Sequence, residues 1–299
     1  MEHPALGLVL LLGILAAGSS LRQQDLNTVK VMDMAPNCFD DQYCGCSHMM
    51  EEELEELNRT EFANNGVYAK AWTIAAAEWR SRQGRVPQTL RPELAIALLT
   101  YTQESPLHGV FNRAVREAGR SRQYYLRDFH FKVLHFLLSE ALRTLRDAGP
   151  HRCYSVYWGV QNIRFTALHH QSVRFGHFTS ASLKQSGAKY FGPDTFFLVE
   201  TCYGVPIRNF SFYPNKEEVL IPPFETYKVI NVARDRERAV IQLRSQAVRS
   251  TYNCTFVEGP LPTPPAATGS SSPTSPGRII PVDPPHLWVL LLAATALAA

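Results

Sequence analysis

Neither Gly-x-Gly-x-x-Gly nor Gly-x-x-x-x-Gly-Lys-Ser/Thr occurs anywhere in the 299 residues, which excludes a Rossmann-type or P-loop nucleotide site. No two of the six cysteines are spaced Cys-x-x-Cys, and Cys44-Gly45-Cys46 is too tight for the usual zinc ligands, so no metal is expected. Long hydrophobic runs are missing too: Leu6–Ala17 and Leu287–Ala299 both fall short of the roughly 20 residues that cross a bilayer as a helix. The net charge is only +3 and argues for no particular partner. The densest basic stretch, Arg113, Arg116, Arg120, Arg122 and Arg127, reads as a solvated helix face rather than a nucleic-acid surface. The acidic run Glu51–Glu56 reads the same way. No stretch between about residues 38 and 257 has linker composition, which predicts one domain.

What is present at the two ends looks like targeting. Residues 1–20 join a short apolar run to Ala16-Ala17-Gly18-Ser19-Ser20, the layout of a secretory signal peptide. Residues 259–286 are a Pro, Ser, Thr and Gly tract that cannot bury a core. Small residues at Gly269–Ser272, a polar spacer and the apolar 287–299 form the layout of a GPI-attachment signal, whose tail is removed. A short tail-anchored span is the rival reading. The folded domain is then 21–258, at the cell surface on the extracellular side, or else secreted or in the lumen of the secretory pathway. Six cysteines suit that oxidising address but allow fifteen pairings. Sequons at Asn58, Asn209 and Asn253 are compatible with it.

Periodicity divides the domain into helices first and strands after. Ser105-Pro106 opens and Gly119 closes a helix over Leu107–Ala118. Phe129, Val133, Phe136, Leu137, Glu140 and Ala141 recur at helical steps and predict a long buried helix through about Leu145. Shorter helices are expected around 51–58, 67–80 and 94–102. After Gly149-Pro150 come short β-rich runs at 153–157, 172–178, 195–202, 218–221, 227–231, 239–244 and 252–256. Helices followed by a run of strands indicate an α+β domain, not a doubly wound sheet.

The segment Phe210–Glu225, FSFYPNKEEVLIPPFE, places Glu217 and Glu218 between an aromatic turn and an apolar strand that Pro222-Pro223 closes. Upstream stand Val156-Tyr157-Trp158-Gly159-Val160 and Phe178-Thr179-Ser180-Ala181-Ser182. In this order the three segments resemble the vertebrate arginine-specific mono-ADP-ribosyltransferases of the cell surface. Phe39–Tyr43, Asn58–Phe62, Ala114–Arg122, Phe131–Leu142, Asp194–Phe197 and Ser250–Cys254 extend the resemblance over nearly the whole chain. It implies two packed, mainly antiparallel sheets enclosing an NAD cleft, with helices on one side and stabilising disulfides. The implied pairs are Cys46 with Cys254 and Cys153 with Cys202. Cys38 and Cys44 are left over, and a bond between them is an open possibility.

The family's triad is an arginine, a serine and a Glu-x-Glu, and two of its positions differ here. Trp158 stands at the arginine and Lys216 at the first glutamate. The resemblance assigns Glu218 to the oxocarbenium-like centre that forms as NAD loses nicotinamide, and Ser180 to holding Glu218. Lys216 and Glu217 fall at the acceptor-recognition position, where an ammonium repels an arginine acceptor. If this part of the chain is extended, Glu217 points to the face opposite Glu218. Tyr101 and Ser211, the latter expected on a strand before the glutamates, match positions that line the dinucleotide site, although Tyr101 alone reads as a core aromatic. Arg164 is a candidate phosphate contact and reads equally as a strand-surface charge. Trp158 offers one indole donor and no charge, so it can stack but cannot grip a pyrophosphate. Three functions fit: transfer of ADP-ribose from NAD to arginine on extracellular or surface proteins, NAD glycohydrolysis with water as acceptor, or a GPI-linked binding protein without catalysis.

Overall fold

Seven helices, built before the main sheet strands, form one wall of the molecule. A computed structural model describes residues 28–188, 193–235 and 238–257; the leader, stalk and apolar tail expected at the ends lie outside the described residues. After a short strand β1 (Thr28–Val31) come α1 (Ser47–Glu52), α2 (Leu54–Asn64), α3 (Gly66–Arg82), α4 (Pro92–Thr102), α5 (Leu107–Ala118), α6 (Arg122–Asp128) and α7 (Lys132–Ala148). Helix α5 has the bounds its sequence predicts. The Ser105 hydroxyl accepts the Leu107 N–H at its start. It ends at Gly119 because the chain there presses on the Cys38 carbonyl, which a Cβ would approach to 2.1 Å. The long helix α7 begins three residues later than expected. Phe129 is instead turned into the core against Tyr125, and Glu61 caps the helix from a distance by accepting the Lys132 and Val133 N–H groups at 2.7 and 3.1 Å.

Strands β2 (Tyr154–Val160), β3 (Ile163–Thr166), β4 (Ser172–Arg174), β5 (Thr179–Ser182), β6 (Thr195–Thr201), β7 (Val205–Pro206), β8 (Glu218–Ile221), β9 (Glu225–Asp235) and β10 (Arg238–Val248) follow. Strand β3 pairs in parallel with β1, and the rest run in the order β4-β9-β10-β6-β2-β5-β8-β7. All neighbours in that order are antiparallel except β10 and β6. Between β2 and β5 the ladder thins to the single pair Tyr157–Ser182. The order therefore divides into a five-stranded and a three-stranded sheet that pack on each other. Their shared core draws Val156, Val173, Tyr227 and Ile241 from one sheet and Ala181, Val219 and Ile221 from the other.

Period-two alternation decides which side of β8 faces what. Val219 and Ile221 enter the core between the sheets, while Leu220 packs with the helices and Glu218 shares its face. The strand expected at 252–256 is absent, because its amide groups go to two carboxylates instead of a ladder. Asp40 accepts from Thr251 and Tyr252, and Asp41 from Cys254 and Thr255, with Cys254 at φ 58°. Disulfides join Cys46 to Cys254 and Cys153 to Cys202. Cys38 and Cys44 do not pair. Cys38 is buried beneath Gly176, and burial pushes its thiol up to about 12, whereas Cys44 is exposed. No described helix is long and apolar enough to cross a membrane.

Candidate functional site

Two short turns, Arg208–Phe210 and Pro214–Lys216, carry the chain into β8, and Ser211 lies between them rather than on a strand. The helices hold this loop: Arg82 of α3 donates to the Ser211 carbonyl at 2.9 Å, and Phe212 donates to the Thr102 hydroxyl of α4 at 3.3 Å. Glu218 then enters the interior with 4 % exposure. Each of its carboxylate oxygens receives one hydroxyl, Ser180 at 2.8 Å and Ser211 at 2.5 Å. A buried carboxylate so held keeps one rotamer and points its remaining lone pairs in fixed directions.

The extended geometry assumed for Glu217 is not found. Its backbone is left-handed, φ 46° and ψ 55°, and this bend separates its side chain from Glu218. Glu217 bridges to Lys184 at 2.9 Å and Arg208 at 3.9 Å. The Lys184 contact holds its carboxyl below the usual range. The Lys216 ammonium rests 4.1 Å from the centre of the Tyr213 ring, and its carbonyl accepts the Ser182 hydroxyl at 2.7 Å.

Tyr101 does not line an open site. It is 1 % exposed, donates to the Phe178 carbonyl at 2.7 Å and accepts from Asn112 at 3.1 Å, so it ties α4 and α5 to the entry of β5. Trp158 lies on the other side of the β2–β5 junction, about 10 Å or two strand spacings from the backbone of Glu218. Its ring stacks on Phe197 at 5.1 Å and meets the edge of Phe175 at 5.3 Å, inside the core between the sheets. Alternation along β3 sends Ile163 and Phe165 into that core and Arg164 to the opposite face, away from Trp158. The structure thus brings Glu218, Ser180 and Ser211 together and leaves Tyr101, Trp158 and Arg164 out of direct contact with them.

Sequence reasoning missed the polar face of α5. His108, Asn112 and Arg116 recur every four residues, and the basic stretch they interrupt had suggested only solvent. His108 packs on Tyr101 at 5.0 Å; burial, then Lys216, lowers its pKa. His177, 6.3 Å from Trp158, is brought down to about 3 by burial and then by the Arg116 charge, so it is neutral at neutral pH. Among the described residues no group of three or more His, Cys, Asp or Glu could hold a metal ion.

A model of NAD:arginine ADP-ribosyltransferases matches residues 32–251. The chain belongs to the NAD:arginine ADP-ribosyltransferase family. A chicken (Gallus gallus) erythroblast NAD(P)(+)--arginine ADP-ribosyltransferase is 54 % identical over 260 residues, 86 % of each chain. The human (Homo sapiens) GPI-linked NAD(P)(+)--arginine ADP-ribosyltransferase 1 is 46 % identical over 281 residues, again 86 % of each. The crystal structure of the mono-ADP-ribosyltransferase ART2.2 superposes with a TM-score of 0.66 at 37 % identity, covering 76 % of this chain and 99 % of that one. A mutant of ART2.2 has been crystallised in complex with NAD. Trp158 and Lys216 therefore sit inside an ADP-ribosyltransferase fold.

Proposed function

We propose that the protein cleaves the nicotinamide–ribose bond of NAD with Glu218 and passes ADP-ribose to an arginine of an extracellular protein. The observation that carries this reading is the buried carboxylate of Glu218, which receives one serine hydroxyl on each oxygen. Positive charge develops on the ribose as nicotinamide departs, so a fixed carboxylate nearby stabilises the transition state more than the ground state. Ser180 and Ser211 position it. Trp158 adds no cation, and NAD binding is weaker by at least about tenfold than an arginine at that position would allow.

Lys216 favours a second outcome of the same bond cleavage. With an ammonium over Tyr213 and Glu217 turned to Lys184 and Arg208, no carboxylate faces an incoming guanidinium from this loop. Water then competes as acceptor, which makes NAD hydrolysis the companion activity. One human relative is GPI-linked by name; we extend that address to this chain through residues 259–299, with the catalytic domain facing outward.

The test is purified protein with labelled NAD and an arginine analogue, following nicotinamide release and label transfer in parallel, beside Glu218→Ala. Both signals present and lost in the variant support the transferase; release without transfer supports the hydrolase. A well-folded protein that does neither overturns both readings and leaves a surface binding protein.

A further inference from the structure

The turn after β6 is fixed from three sides. The carboxylate of Glu225, 1 % exposed, accepts the Cys202 and Tyr203 N–H groups at 2.8 and 3.3 Å and the hydroxyls of Thr201, Tyr227 and Ser245 at 2.5, 2.7 and 2.6 Å. The Cys153–Cys202 disulfide ties the same turn to the residue before β2. Gly204 closes it against Thr201 and Val219, where a Cβ would come within 2.9 Å of both.

Two arginines stand on this base. Arg146, in the last turn of α7, sets its guanidinium carbon 4.1 Å from the centre of the Tyr203 ring, and Arg152, next to Cys153, sets its own 5.0 Å from the centre of the Tyr154 ring. Both line a cavity of about 200 Å³, together with Pro150, His151 and Pro206. Among the described residues no Asp or Glu lines it, and neither arginine makes a salt bridge or a side-chain hydrogen bond. Glu200, in the nearby strand β6, faces Arg244 instead, at 3.9 Å. Stacking on a ring occupies the face of a guanidinium and leaves its N–H edge available. Two such edges therefore meet one cavity with no anion to satisfy them.

The cavity is separate from the catalytic carboxylate and from position 158. Tyr154 precedes Trp158 by four residues on β2, about 13 Å along the strand. Its volume is below the roughly 300 Å³ at which pockets for drug-sized ligands begin, which limits the occupant to a group of about one sugar ring. We propose that this cavity binds a sulfated glycosaminoglycan chain, seating one acidic sugar between Arg146 and Arg152. Sulfate and carboxylate groups on neighbouring sugars each offer a guanidinium two oxygens, and Pro150 and Pro206 offer apolar surface to the C–H faces of the ring. Chains of this class coat the outer face of cells, the address proposed above. A domain held there is concentrated beside glycan-bearing acceptor proteins with its NAD site unobstructed. Binding at this cavity needs no NAD cleavage.

The experiment is calorimetric titration of the purified protein with a heparin hexasaccharide, its fully desulfated counterpart and a polyglutamate peptide. The sulfated chain is expected to bind, more weakly as salt rises. Arg146→Gln with Arg152→Gln lowers that affinity by about tenfold or more, the loss of charge-assisted contacts. Arg80→Gln with Arg85→Gln removes two exposed charges elsewhere and costs less than about threefold. Nicotinamide release from NAD is the same in the Arg146 and Arg152 double variant as in the wild type, so failure of the glycan site and failure of the catalytic reading are told apart. A wild type that binds no sulfated chain overturns the proposal, as does equal loss in the two double variants, which would reduce the effect to net charge. Equal binding of the desulfated chain overturns it too, and tighter binding of polyglutamate, lost with Arg146 and Arg152, replaces the glycan with an acidic peptide. If the double variant does not fold, Arg152→Gln at its exposed position decides: unchanged affinity and salt dependence overturn the site.

Discussion

The two halves of the site are built to different standards. Around Glu218 both carboxylate oxygens have a partner: two serines hold the carboxylate, and α3 and α4 hold the loop that delivers it. Around position 158 the surroundings are aromatic, with Phe197 and Phe175 on the indole and a neutral His177 beyond. The first half presents a fixed carboxylate, and the indole of the second, set among aromatic rings, carries no charge. On the proposed function, bond cleavage belongs to the first half and substrate capture to the second, and substitutions should separate them.

Removing the better half has the largest effect. Glu218→Gln lowers nicotinamide release by about 10²- to 10³-fold while NAD affinity, measured by titration, stays within about threefold. Affinity falling in step with turnover would erase the distinction between the halves. Repairing the poorer half comes next. Trp158→Arg with Lys216→Glu raises the ratio of arginine transfer to hydrolysis at least about tenfold, and neither change alone does so. Trp158→Arg also puts a charge among Phe197 and Phe175, so the melting temperature drops by several degrees, about 2–4 °C per kcal/mol in a chain of this size. A double variant that stayed folded with background transfer would show that position 158 is not the missing grip. Ser180→Ala and Ser211→Ala each lower kcat about tenfold, near the cost of one hydrogen bond to a charged group. Their double variant loses less than the product, because both act through the same carboxylate.

A separate effect, on the fold rather than the reaction, is on stability against pH. His177 and His135 have folded values of about 3 against 6.5 when unfolded. Above pH 6.5 both are neutral in either state and the fold keeps its full stability. As pH falls from 6.5 toward 3 the unfolded chain takes up the protons that the folded one refuses, so stability falls by up to about 1.4 kcal/mol per unit for each histidine. Thermal melts over that window should slope downward, and His177→Gln should reduce the slope without touching Glu218.

The uneven build explains what could be read from the residues. Period and punctuation gave α5 its bounds and β8 its bounds, since a serine, a proline, a glycine and an apolar run act locally. The pairing of Ser180 with Glu218 followed from the order of segments in a known family, not from any local rule. Three features escaped because they depend on contacts far apart in the chain. Glu217 leaves the strand direction because its left-handed turn lets it reach Lys184. Arg116 looked like surface in a basic run, yet it is partly buried and shares a cavity with the loop after β1. Residues 252–256 have strand composition but meet Asp40 and Asp41, whose carboxylates take their amide groups first.

That last clamp has a mechanical consequence. The polypeptide runs on beyond residue 257 toward the tract that precedes the apolar end, so any tension drawn along it enters at Thr255 and Cys254. It passes through the Cys254–Cys46 bond into the helical wall, and Asp40 and Asp41 share the load through four amide groups. Strand β10 lies upstream of this junction and is shielded from the pull. A domain pulled from the C-terminal side of residue 257 can therefore keep β8, and the carboxylate it carries, in register.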